Sequence, residues 1–412
     1  MVIAAGARTI RNRTNAYYPA MAARANTPIS VGIAGAGFAA SSHLDALRRL
    51  PNVQLTGVLA SSAERSAEAA HRLGVDPIAS LDQLLDADVV HNCTPNDVHA
   101  SITEAALEAG IHVLSEKPLA FDASQAASLA RAAHQADPVT GVCFNYRHFP
   151  LVQELRSLLA SGGDGPIHLL HGAYLQDWLL RPDDWNWRLD SARAGASRAT
   201  GDIGSHWIDL AQHVTGDVIT SVTAKLGTLF EERMKPPEGD RQTFAQSDGQ
   251  GTAMPVDTED MAVVLFKTQR GGLGSVTISQ VSAGWKNHLV LEVDARESSF
   301  VWDQEQPNNL RIGRRDGANR DVLRDPSQLR PEAARLAHFP AGHQEGWPDA
   351  LRNLFIDFYA AVAAHRNGEP YEQTFASFDE AARVQATVEA VVRSSASGTW
   401  VDVDEIVQEV SA

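Results

Sequence analysis

Apolar and polar positions change their rhythm about one third of the way along the chain. Before residue 150, short apolar runs alternate with segments whose apolar residues recur every three or four positions, which predicts strands that alternate with helices. The first predicted strand begins at residue 31, and the others span 53–59, 89–93, 111–115 and 139–144. The predicted helices span 42–48, 63–73, 81–85, 98–109 and 123–136. This alternation indicates a parallel sheet with helices on both faces, and such sheets bind ligands at the carboxyl ends of their strands.

Beyond residue 150 the apolar positions alternate with polar ones over longer stretches. Strands are predicted at 167–174, 219–226, 261–267, 274–281 and 288–293, long loops at 231–255 and 314–347, and helices at 348–366 and 378–395. This pattern predicts an α+β region with an open, mainly antiparallel sheet. Because 412 residues exceed what one hydrophobic core serves, we predict a flexible extension (1–28), a first domain (29–150) and a second domain (151–412).

The first predicted strand ends in a glycine motif. Gly35, Gly37 and Ala40 form Gly-x-Gly-x-x-Ala ahead of the first predicted helix. In a dinucleotide site the first glycine permits the turn, the second lets the backbone approach the pyrophosphate, and the small third residue lets the helix pack on the strand. Gly-x-Gly turns also occur in ordinary loops, so the flanking strand and helix are what favour the site. We therefore predict a doubly wound Rossmann domain.

Composition narrows the classes of partner. The formal net charge of −16 disfavours nucleic acid and anionic membranes, both of which attract basic surfaces. No apolar run is long enough to span a bilayer, and residues 1–27 contain no apolar core of a secretory signal. The two cysteines, Cys93 and Cys143, lie in apolar strand-like runs without Cys-x-x-Cys spacing, which predicts reduced core residues of a cytoplasmic protein.

Two further segments carry candidate chemistry. Lys117 precedes Pro118 at the end of a predicted strand, where it is either a solvated charge or a group beside a bound nicotinamide. Asp202 and His206 are four residues apart and share a face on a predicted helix, so the carboxylate can orient the imidazole. His213 continues one side of that helix, but a third and a fourth ligand at metal-site spacing are missing. We predict no metal site.

Taken together, the motifs resemble the Gfo/Idh/MocA oxidoreductases from about residue 29 to the end of the chain. Besides the glycine turn they are Thr94-Pro95-Asn96 with His99, Glu116-Lys117-Pro118, Asn145-Tyr146-Arg147 and Asp202-x-Gly204-x-His206-x-x-Asp209. The resemblance implies hydride transfer between NAD or NADP and a hydroxyl of a sugar or polyol. It also implies that Lys117 binds the reacting hydroxyl and that His206 is the acid/base, with Asp202 as its partner. These residue types suit alkoxide stabilisation and proton removal near neutral pH.

The resemblance extends to the lining of the site. The predicted cofactor-binding residues are Gly35, Gly37, Phe38, Ala39, Ser61, Ser62, Arg65, Thr94, Pro95, Asn96, His99, Glu116, Lys117 and Asn145. The predicted substrate-binding residues are Lys117, Tyr146, Arg147, Trp178, Trp187, Arg188, Asp202 and His206. Flat aromatic faces and fixed donors suit a sugar ring, and the segment with Trp178 and Trp187 looks closest to the sugar-oxidising members.

Two positions depart from the family pattern. Ala60-Ser61-Ser62 and Arg65 stand where many NAD-specific relatives have an acidic residue for the ribose. This removes repulsion against a 2′-phosphate, and Arg65 has the charge to pair with one, so the choice between NAD and NADP stays open. Ala199-Thr200-Gly201 replaces a triple glycine, which changes the expected loop shape but not the pair of Asp202 and His206.

The predicted function is a sugar or polyol dehydrogenase, and two alternatives remain. A keto-sugar reductase would use the same residues in reverse, and a catalytically silent regulatory protein would use the same fold. The joint presence of Lys117, Asp202 and His206 argues against the silent protein. Strands 261–267 and 274–281 carry more apolar side chains than one core face absorbs, so we predict a homodimer or homotetramer through this sheet.

Overall fold

The computed structural model describes residues 27–237 and 251–411, and its first layer is a five-stranded parallel sheet. The strands are β1 (Ile29–Ala34), β2 (Val53–Leu59), β3 (Val89–Asn92), β4 (His112–Ser115) and β5 (Thr140–Val142). Their order is β2-β1-β3-β4-β5, so the chain crosses from one side of β1 to the other between β2 and β3. The loops after β1 and β3 therefore meet at the switch point where such sheets bind ligands. The predicted doubly wound sheet is confirmed.

Helices connect these strands. They are α1 (Phe38–Arg48), α2 (Ala63–Leu73), α3 (Leu81–Leu84), α4 (Asn96–Glu108) and α5 (Ala123–Gln135). Ser62, Ser80 and Asp122 accept hydrogen bonds from backbone N–H groups in the first turns of α2, α3 and α5, which explains where these helices begin. By contrast, α1 begins after Gly37, and no side chain caps it.

The second sheet has nine strands in the order β15-β14-β13-β12-β6-β11-β10-β7-β16. They are β6 (Ile167–Leu175), β7 (Ile219–Gly227), β10 (Met261–Thr268), β11 (Leu273–Ser279), β12 (His288–Ala295), β13 (Ser298–Asp303), β14 (Asn309–Arg314), β15 (Arg320–Leu323) and β16 (Val401–Asp402). Neighbouring strands are antiparallel except β6 and β11, which run parallel. The predicted mainly antiparallel sheet is confirmed, although it has more strands than the five expected from alternation.

Both segments predicted as long loops contain regular structure. In 231–255, β8 (Glu232–Lys235) pairs with β9 (Thr252–Pro255), and residues 238–250 lie outside the described part of the chain. In 314–347 there are β15 and a short helix, α9 (Pro331–Ala334). Of the extension predicted for residues 1–28, residues 1–26 lie outside the described part of the chain.

The remaining helices cover the second sheet or return to the first. They are α6 (Pro150–Ala160), α7 (Ser191–Ala194), α8 (Ser205–Thr215), α10 (Trp347–Arg366), α11 (Phe378–Ser397) and α12 (Val403–Ser411). Trp207 of α8 is fully buried and donates from Nε1 to the carbonyl oxygen of Val290 (2.8 Å), which fixes α8 on the second sheet. Phe355 and Tyr359 of α10 belong to the same core as β1 and α1. Within the described part of the chain, no helix combines the length and apolarity needed to cross a membrane.

Candidate active site

The glycine turn after β1 leaves room for a ligand on one side. Gly35 has φ +103°, and a Cβ there would lie 2.3 Å from the carbonyl oxygen of Cys93, so only glycine fits. A Cβ at Gly37 would meet no protein atom within 4 Å. The uncapped N-terminus of α1 begins at this open side, where backbone N–H groups and the helix dipole favour an anion. These residues fit the pyrophosphate of a dinucleotide.

The loop after β2 places the predicted selectivity residues on the surface. Ser62 caps α2 by accepting from the backbone N–H of Arg65 (3.3 Å), and the guanidinium of Arg65 lies 3.5 Å from the Ser61 hydroxyl. Arg72, which the sequence analysis missed, donates to the carbonyl oxygen of Ala36 in the glycine turn (2.6 Å). Its spacing of seven residues from Arg65 along α2 is the available signal, because residues seven apart share a helix face.

The loop after β3 is tied to its neighbours by polar contacts. Asn96 donates from Nδ2 to the carbonyl oxygen of Ala194 (2.9 Å), and Thr94 donates to the side-chain oxygen of Asn92 (2.7 Å). The ring nitrogens of the buried His99 lie 2.7 Å from the carbonyl oxygens of Thr94 and Pro118. The two ring nitrogens thus lie between the loops after β3 and β4, and the contact of His99 with the cofactor stays a prediction.

Glu116 and Lys117 begin the loop after β4, and the Lys117–Pro118 peptide bond is cis. The Glu116 carboxylate accepts from the backbone N–H of Lys117 (3.1 Å) and lies 3.0 Å from Nε2 of His43. Burial raises the pKa of Glu116, but the hydrogen bond with His43 and the charges of His43 and Lys117 outweigh it and lower this pKa to about 2. Glu116 is therefore an anion near neutral pH.

Behind this loop runs a chain of buried hydrogen bonds that the sequence analysis missed. Nδ1 of His43 lies 2.8 Å from Nδ1 of His91, and Nε2 of His91 lies 3.0 Å from the hydroxyl of Tyr359. Together with the contact between His43 and Glu116, this chain links α10, β3, α1 and the end of β4. The Cys143 thiol also lies near His43 and Glu116, and ligand atoms of these three residues lie within 4.8 Å of one another. Burial raises the pKa of Cys143, so the set contains a neutral thiol and an existing hydrogen bond rather than free metal ligands.

Lys117 follows β4 of the first sheet and pairs with Asp202, which precedes α8. Its ammonium group donates to Oδ1 of Asp202 (2.9 Å) and to the Asp202 carbonyl oxygen (2.8 Å). Nε of Arg188 donates to the same carboxylate oxygen (3.1 Å), and Nε2 of Gln280 donates to Oδ2 (2.9 Å). Burial raises the pKa of Asp202, but Arg188 and Lys117 outweigh it and hold this pKa well below its usual range. Lys117 is thus an ion-paired group rather than a solvated charge.

The predicted helical pairing of Asp202 with His206 is wrong in its geometry. Residues Thr200–Gly204 form a π-helical turn, and α8 begins only at Ser205, so the two side chains are not one regular α-helical turn apart. The Asp202 carboxylate is directed to cations and to an amide, and no hydrogen bond joins it to His206 among the described residues. Gly204 lets the π-helical turn lie close to β11, since a Cβ at residue 204 would lie 2.5 Å from the side chain of Ile278 in that strand.

His206 lies among aromatic rings. Its ring centroid is 4.9 Å from that of Tyr146, 5.8 Å from that of Phe144 and 6.4 Å from that of Tyr174. Nδ1 of His206 is buried and has no hydrogen-bond partner in the described parts of the chain. Burial and then the charge of Lys117 lower the pKa of His206 to about 3, so the imidazole is neutral near pH 7.

The short helical turn Asn145–His148 separates two of the predicted substrate residues. The Tyr146 hydroxyl shares a 2.7 Å hydrogen bond with that of Tyr174, and its ring faces His206. Arg147 is instead buried in ion pairs with Asp209 and Glu380. These internal pairs engage its guanidinium, and the assignment of Arg147 to the substrate site stays a prediction. Asn145 is also buried, and its side-chain Nδ2 has no partner among the described residues.

The predicted tryptophans lie on the Arg188 side of the site. The Arg188 guanidinium lies over the Trp187 ring, 4.6 Å from its centroid, while its Nε contacts Asp202. Trp178 donates from Nε1 to the side-chain oxygen of Gln176 (2.9 Å) and packs against a small cluster of Leu179, Leu189 and Val256. Trp187 and Arg188 thus flank the Asp202 carboxylate, whereas Trp178 belongs to an adjoining apolar cluster.

This fold and site define an NAD-binding oxidoreductase. Residues 29–144 match the family described as "Oxidoreductase family, NAD-binding Rossmann fold", and residues 152–301 match the "GFO/IDH/MocA C-terminal domain". The chain belongs to the Gfo/Idh/MocA family of oxidoreductases.

Relatives in this family are named for sugars and polyols. Levoglucosan dehydrogenase of Pseudarthrobacter phenanthrenivorans is 31% identical over 394 residues, which cover 92% of this chain and 99% of that protein. Glucose-6-phosphate 3-dehydrogenase of Bacillus subtilis is 26% identical over 335 residues, with 81% and 88% covered. A solved structure of levoglucosan dehydrogenase with NADH and levoglucosan superposes with a TM-score of 0.80 at 29% identity, with 92% and 100% covered. An inositol dehydrogenase homolog from Azotobacter vinelandii with NAD+ gives a TM-score of 0.79 at 26% identity, with 92% and 98% covered.

Proposed function

We propose that this protein transfers a hydride between NAD(P) and a secondary hydroxyl of a sugar, a sugar derivative or a polyol. The observation that carries the proposal is the pairing of a fixed cation with a neutral base. Lys117 is held by Asp202 at 2.9 Å, and its charge is near enough to lower the pKa of the buried His206. A secondary alcohol needs both groups, because it loses a proton and passes through a state with alkoxide character.

Each side chain then has a role that its surroundings support. Neutral His206 accepts the hydroxyl proton on a ring nitrogen, since its lowered pKa keeps the base form present near neutral pH. Lys117 donates to the oxygen that develops negative charge, while Asp202 holds the ammonium group in place. When bound, the nicotinamide supplies the hydride acceptor.

The substrate class rests on the relatives and on the residues around Asp202. Levoglucosan, inositol and glucose 6-phosphate occur in the names of relatives or are bound in their structures. All three are ring compounds with several hydroxyl groups. In this chain, Arg188 and the flat face of Trp187 lie beside Asp202, and these groups suit the hydroxyls and the C–H face of such a ring. The reverse reaction, reduction of a keto-sugar, uses the same residues.

A turnover assay tests the proposal. The purified protein is incubated with NAD+ or NADP+ and a panel of levoglucosan, myo-inositol, glucose and glucose 6-phosphate, and with the reduced cofactors and matching keto-sugars. We expect absorbance of the reduced cofactor to change with at least one pair, and the change to disappear in Lys117→Ala. Tight cofactor binding without turnover in either direction would instead support the silent regulatory protein.

The cofactor site has its own test in Gly37→Val. A side chain at Gly37 meets no protein atom within 4 Å, so the variant is expected to fold and to lose affinity for the dinucleotide in a fluorescence titration. The matched control is Gly163→Val, since Gly163 is exposed and has similar space after α6. Unchanged affinity in Gly37→Val would contradict the placement of the pyrophosphate. In the same titrations, Arg65→Ala compares NAD+ with NADP+ and shows whether Arg65 binds a 2′-phosphate.

We also propose a cytoplasmic homo-oligomer that forms through the second sheet. Val263, Leu265 and Leu273 are 54%, 47% and 52% exposed on one face of β10 and β11, and exposed apolar patches of this kind mark interfaces. Light scattering is expected to show a dimer or tetramer that dissociates in Leu265→Lys. The control is Leu323→Lys, because Leu323 is at least as exposed and lies on the edge strand β15. A monomer at micromolar concentration would contradict the interface.

A further inference from the structure

Gln280 connects the proposed active site to a buried cluster of charges. It follows directly after β11 and is fully buried. Its Nε2 donates to Oδ2 of Asp202 (2.9 Å), and its Oε1 accepts from Nη1 of Arg198 (2.9 Å). No family motif and no sequence pattern singled out this residue, yet it occupies the carboxylate oxygen that Lys117 and Arg188 leave free.

Arg198 determines which end of the amide faces Asp202. A guanidinium only donates hydrogen bonds, so the amide oxygen of Gln280 must face Arg198 and the NH2 group must face Asp202. Arg198 is itself fixed, since it pairs with the fully buried Asp260 and donates from Nε to the hydroxyl of Thr258 (3.2 Å). Asp260 also accepts from Nη2 of Arg233 in β8 (2.7 Å). The orientation of the Gln280 amide therefore rests on a support of paired, buried charges.

The neutral amide does what a charged side chain cannot do at this position. Oδ1 of Asp202 receives Lys117 and Arg188, so rotation of the carboxylate would break both contacts. A neutral donor to Oδ2 opposes that rotation without adding a positive charge that would compete with Lys117 for the carboxylate. We propose that Gln280 is a positioning residue for the hydride-transfer reaction, in which its amide, oriented by Arg198, fixes the Asp202 carboxylate and thereby the Lys117 ammonium group.

This inference rests on the proposed function, and two variants test it. Gln280→Met keeps the length of the side chain and removes both hydrogen bonds. Because a hydrogen bond to a charged group is lost next to Lys117, kcat is expected to fall about ten- to a hundredfold, with little change in the Kd for the cofactor. Gln304→Met is the control, since Gln304 is similarly buried and lies outside the site.

Gln280→Glu supplies a pH signature that a loss of packing would not produce. This variant is isosteric, but the ionised carboxylate that it introduces faces that of Asp202 and cannot donate. The kcat of Gln280→Glu divided by that of the wild type is expected to rise as the pH falls, because protonation of the introduced carboxyl restores a donor toward Oδ2. A ratio that is constant across pH, or a wild-type kcat in folded Gln280→Met, would overturn the proposal.

A measurement without substrate separates this inference from the proposed function. The rate at which an amine-reactive reagent modifies Lys117, followed by peptide mass spectrometry, is expected to rise several-fold in Gln280→Met and to stay at the wild-type rate in Gln304→Met. An unchanged rate would show that Gln280 does not hold Lys117. A raised rate in a protein that turns over no polyol would uphold the positioning contact and reject the proposed reaction.

Discussion

Two sides of the proposed active site differ in how their polar atoms are satisfied. On one side, the Asp202 carboxylate accepts hydrogen bonds from Lys117, Arg188 and Gln280. On the other side, His206 is surrounded by aromatic rings, and its buried Nδ1 has no partner among the described residues. The first side is satisfied by partners within the protein, and the second holds an imidazole among aromatic rings without such partners at Nδ1 in the described part of the chain.

The two sides therefore differ in charge, since one holds an ionised carboxylate and the other a neutral imidazole. The cations around Asp202 hold its pKa below the usual range, so this carboxylate stays charged near neutral pH. Burial lowers the pKa of His206 to about 3, and the ring stays neutral and able to accept a proton. In the proposed reaction, the ion pairs position Lys117 and the uncharged imidazole takes the proton.

The largest effect is expected on the His206 side. His206→Ala removes the proposed base, so kcat is expected to fall on the order of 10²- to 10⁴-fold while the cofactor Kd stays similar. The acid limb of kcat/KM in the wild type is expected well below the ordinary histidine range, because the base form persists down to a pKa of about 3. His134→Ala, which alters an exposed imidazole, serves as the control. Near-wild-type turnover in His206→Ala would transfer the role of base to Lys117.

On the Asp202 side we expect a smaller loss of rate and a clear loss of stability. Asp202→Asn keeps the shape but removes the charge that pairs with Lys117 and Arg188. We expect kcat/KM to fall about ten- to a hundredfold and the free energy of unfolding to fall by about 2 kcal/mol in urea titrations. Asp316→Asn on the exposed surface is the control. If both quantities stayed at wild-type values, Asp202 would not be holding the cation.

Acid destabilises the two sides in different pH windows. The folded pKa of His206 is below its unfolded value of about 6.5, so the unfolded chain binds more protons and stability falls as the pH drops from about 6.5 toward 3. The folded pKa of Asp202 is below its unfolded value of about 3.9, so its contribution is lost only below about pH 4. Each group changes stability by at most about 1.4 kcal/mol per pH unit within its window. Urea titrations at several pH values are expected to show a shallower loss between pH 6.5 and 4 for His206→Ala than for the wild type.

The smallest effect is expected from the aromatic surroundings of His206. The Tyr174 hydroxyl donates to the side-chain oxygen of Asn287 (2.6 Å) and contacts the Tyr146 hydroxyl. Tyr174→Phe is expected to cost about 1 kcal/mol in stability and to change kcat/KM less than tenfold, since the ring that contacts His206 remains. Tyr371→Phe, at a more exposed tyrosine, is the control. A loss as large as that of His206→Ala would mean that Tyr174 itself takes part in the proton transfer.

Residues with a local signal were the ones that sequence reasoning could find. The glycine turn, Lys117 at a strand end and the order of strands and helices all depend on neighbours within a few positions. The ion pairs of Arg147 could not be found in this way, because Asp209 and Glu380 lie 62 and 233 residues further along the chain. No local pattern reveals such pairs.

The geometry between elements could not be predicted from the sequence for the same reason. Spacing of four residues suggests one α-helical turn, but a π-helical turn at Thr200–Gly204 redirects Asp202 toward Lys117. Gln280 carries no signal, because a glutamine after a strand is ordinary until Arg198 and Asp202 are seen on either side of it. The short strand β15 and helix α9 were likewise hidden in a polar segment that resembles a loop.

In the hydrogen-bond chain behind Glu116, donors and acceptors are matched. The Glu116 carboxylate only accepts, so Nε2 of His43 donates to it. Burial lowers the pKa of His91, and this neutral ring donates through one nitrogen and accepts through the other, toward His43 on one side and the Tyr359 hydroxyl on the other. Every link thus pairs one donor with one acceptor. One substitution that exchanges donor for acceptor leaves two buried groups facing each other with the same polarity, so these four positions are expected to evolve as one unit, in compensating pairs.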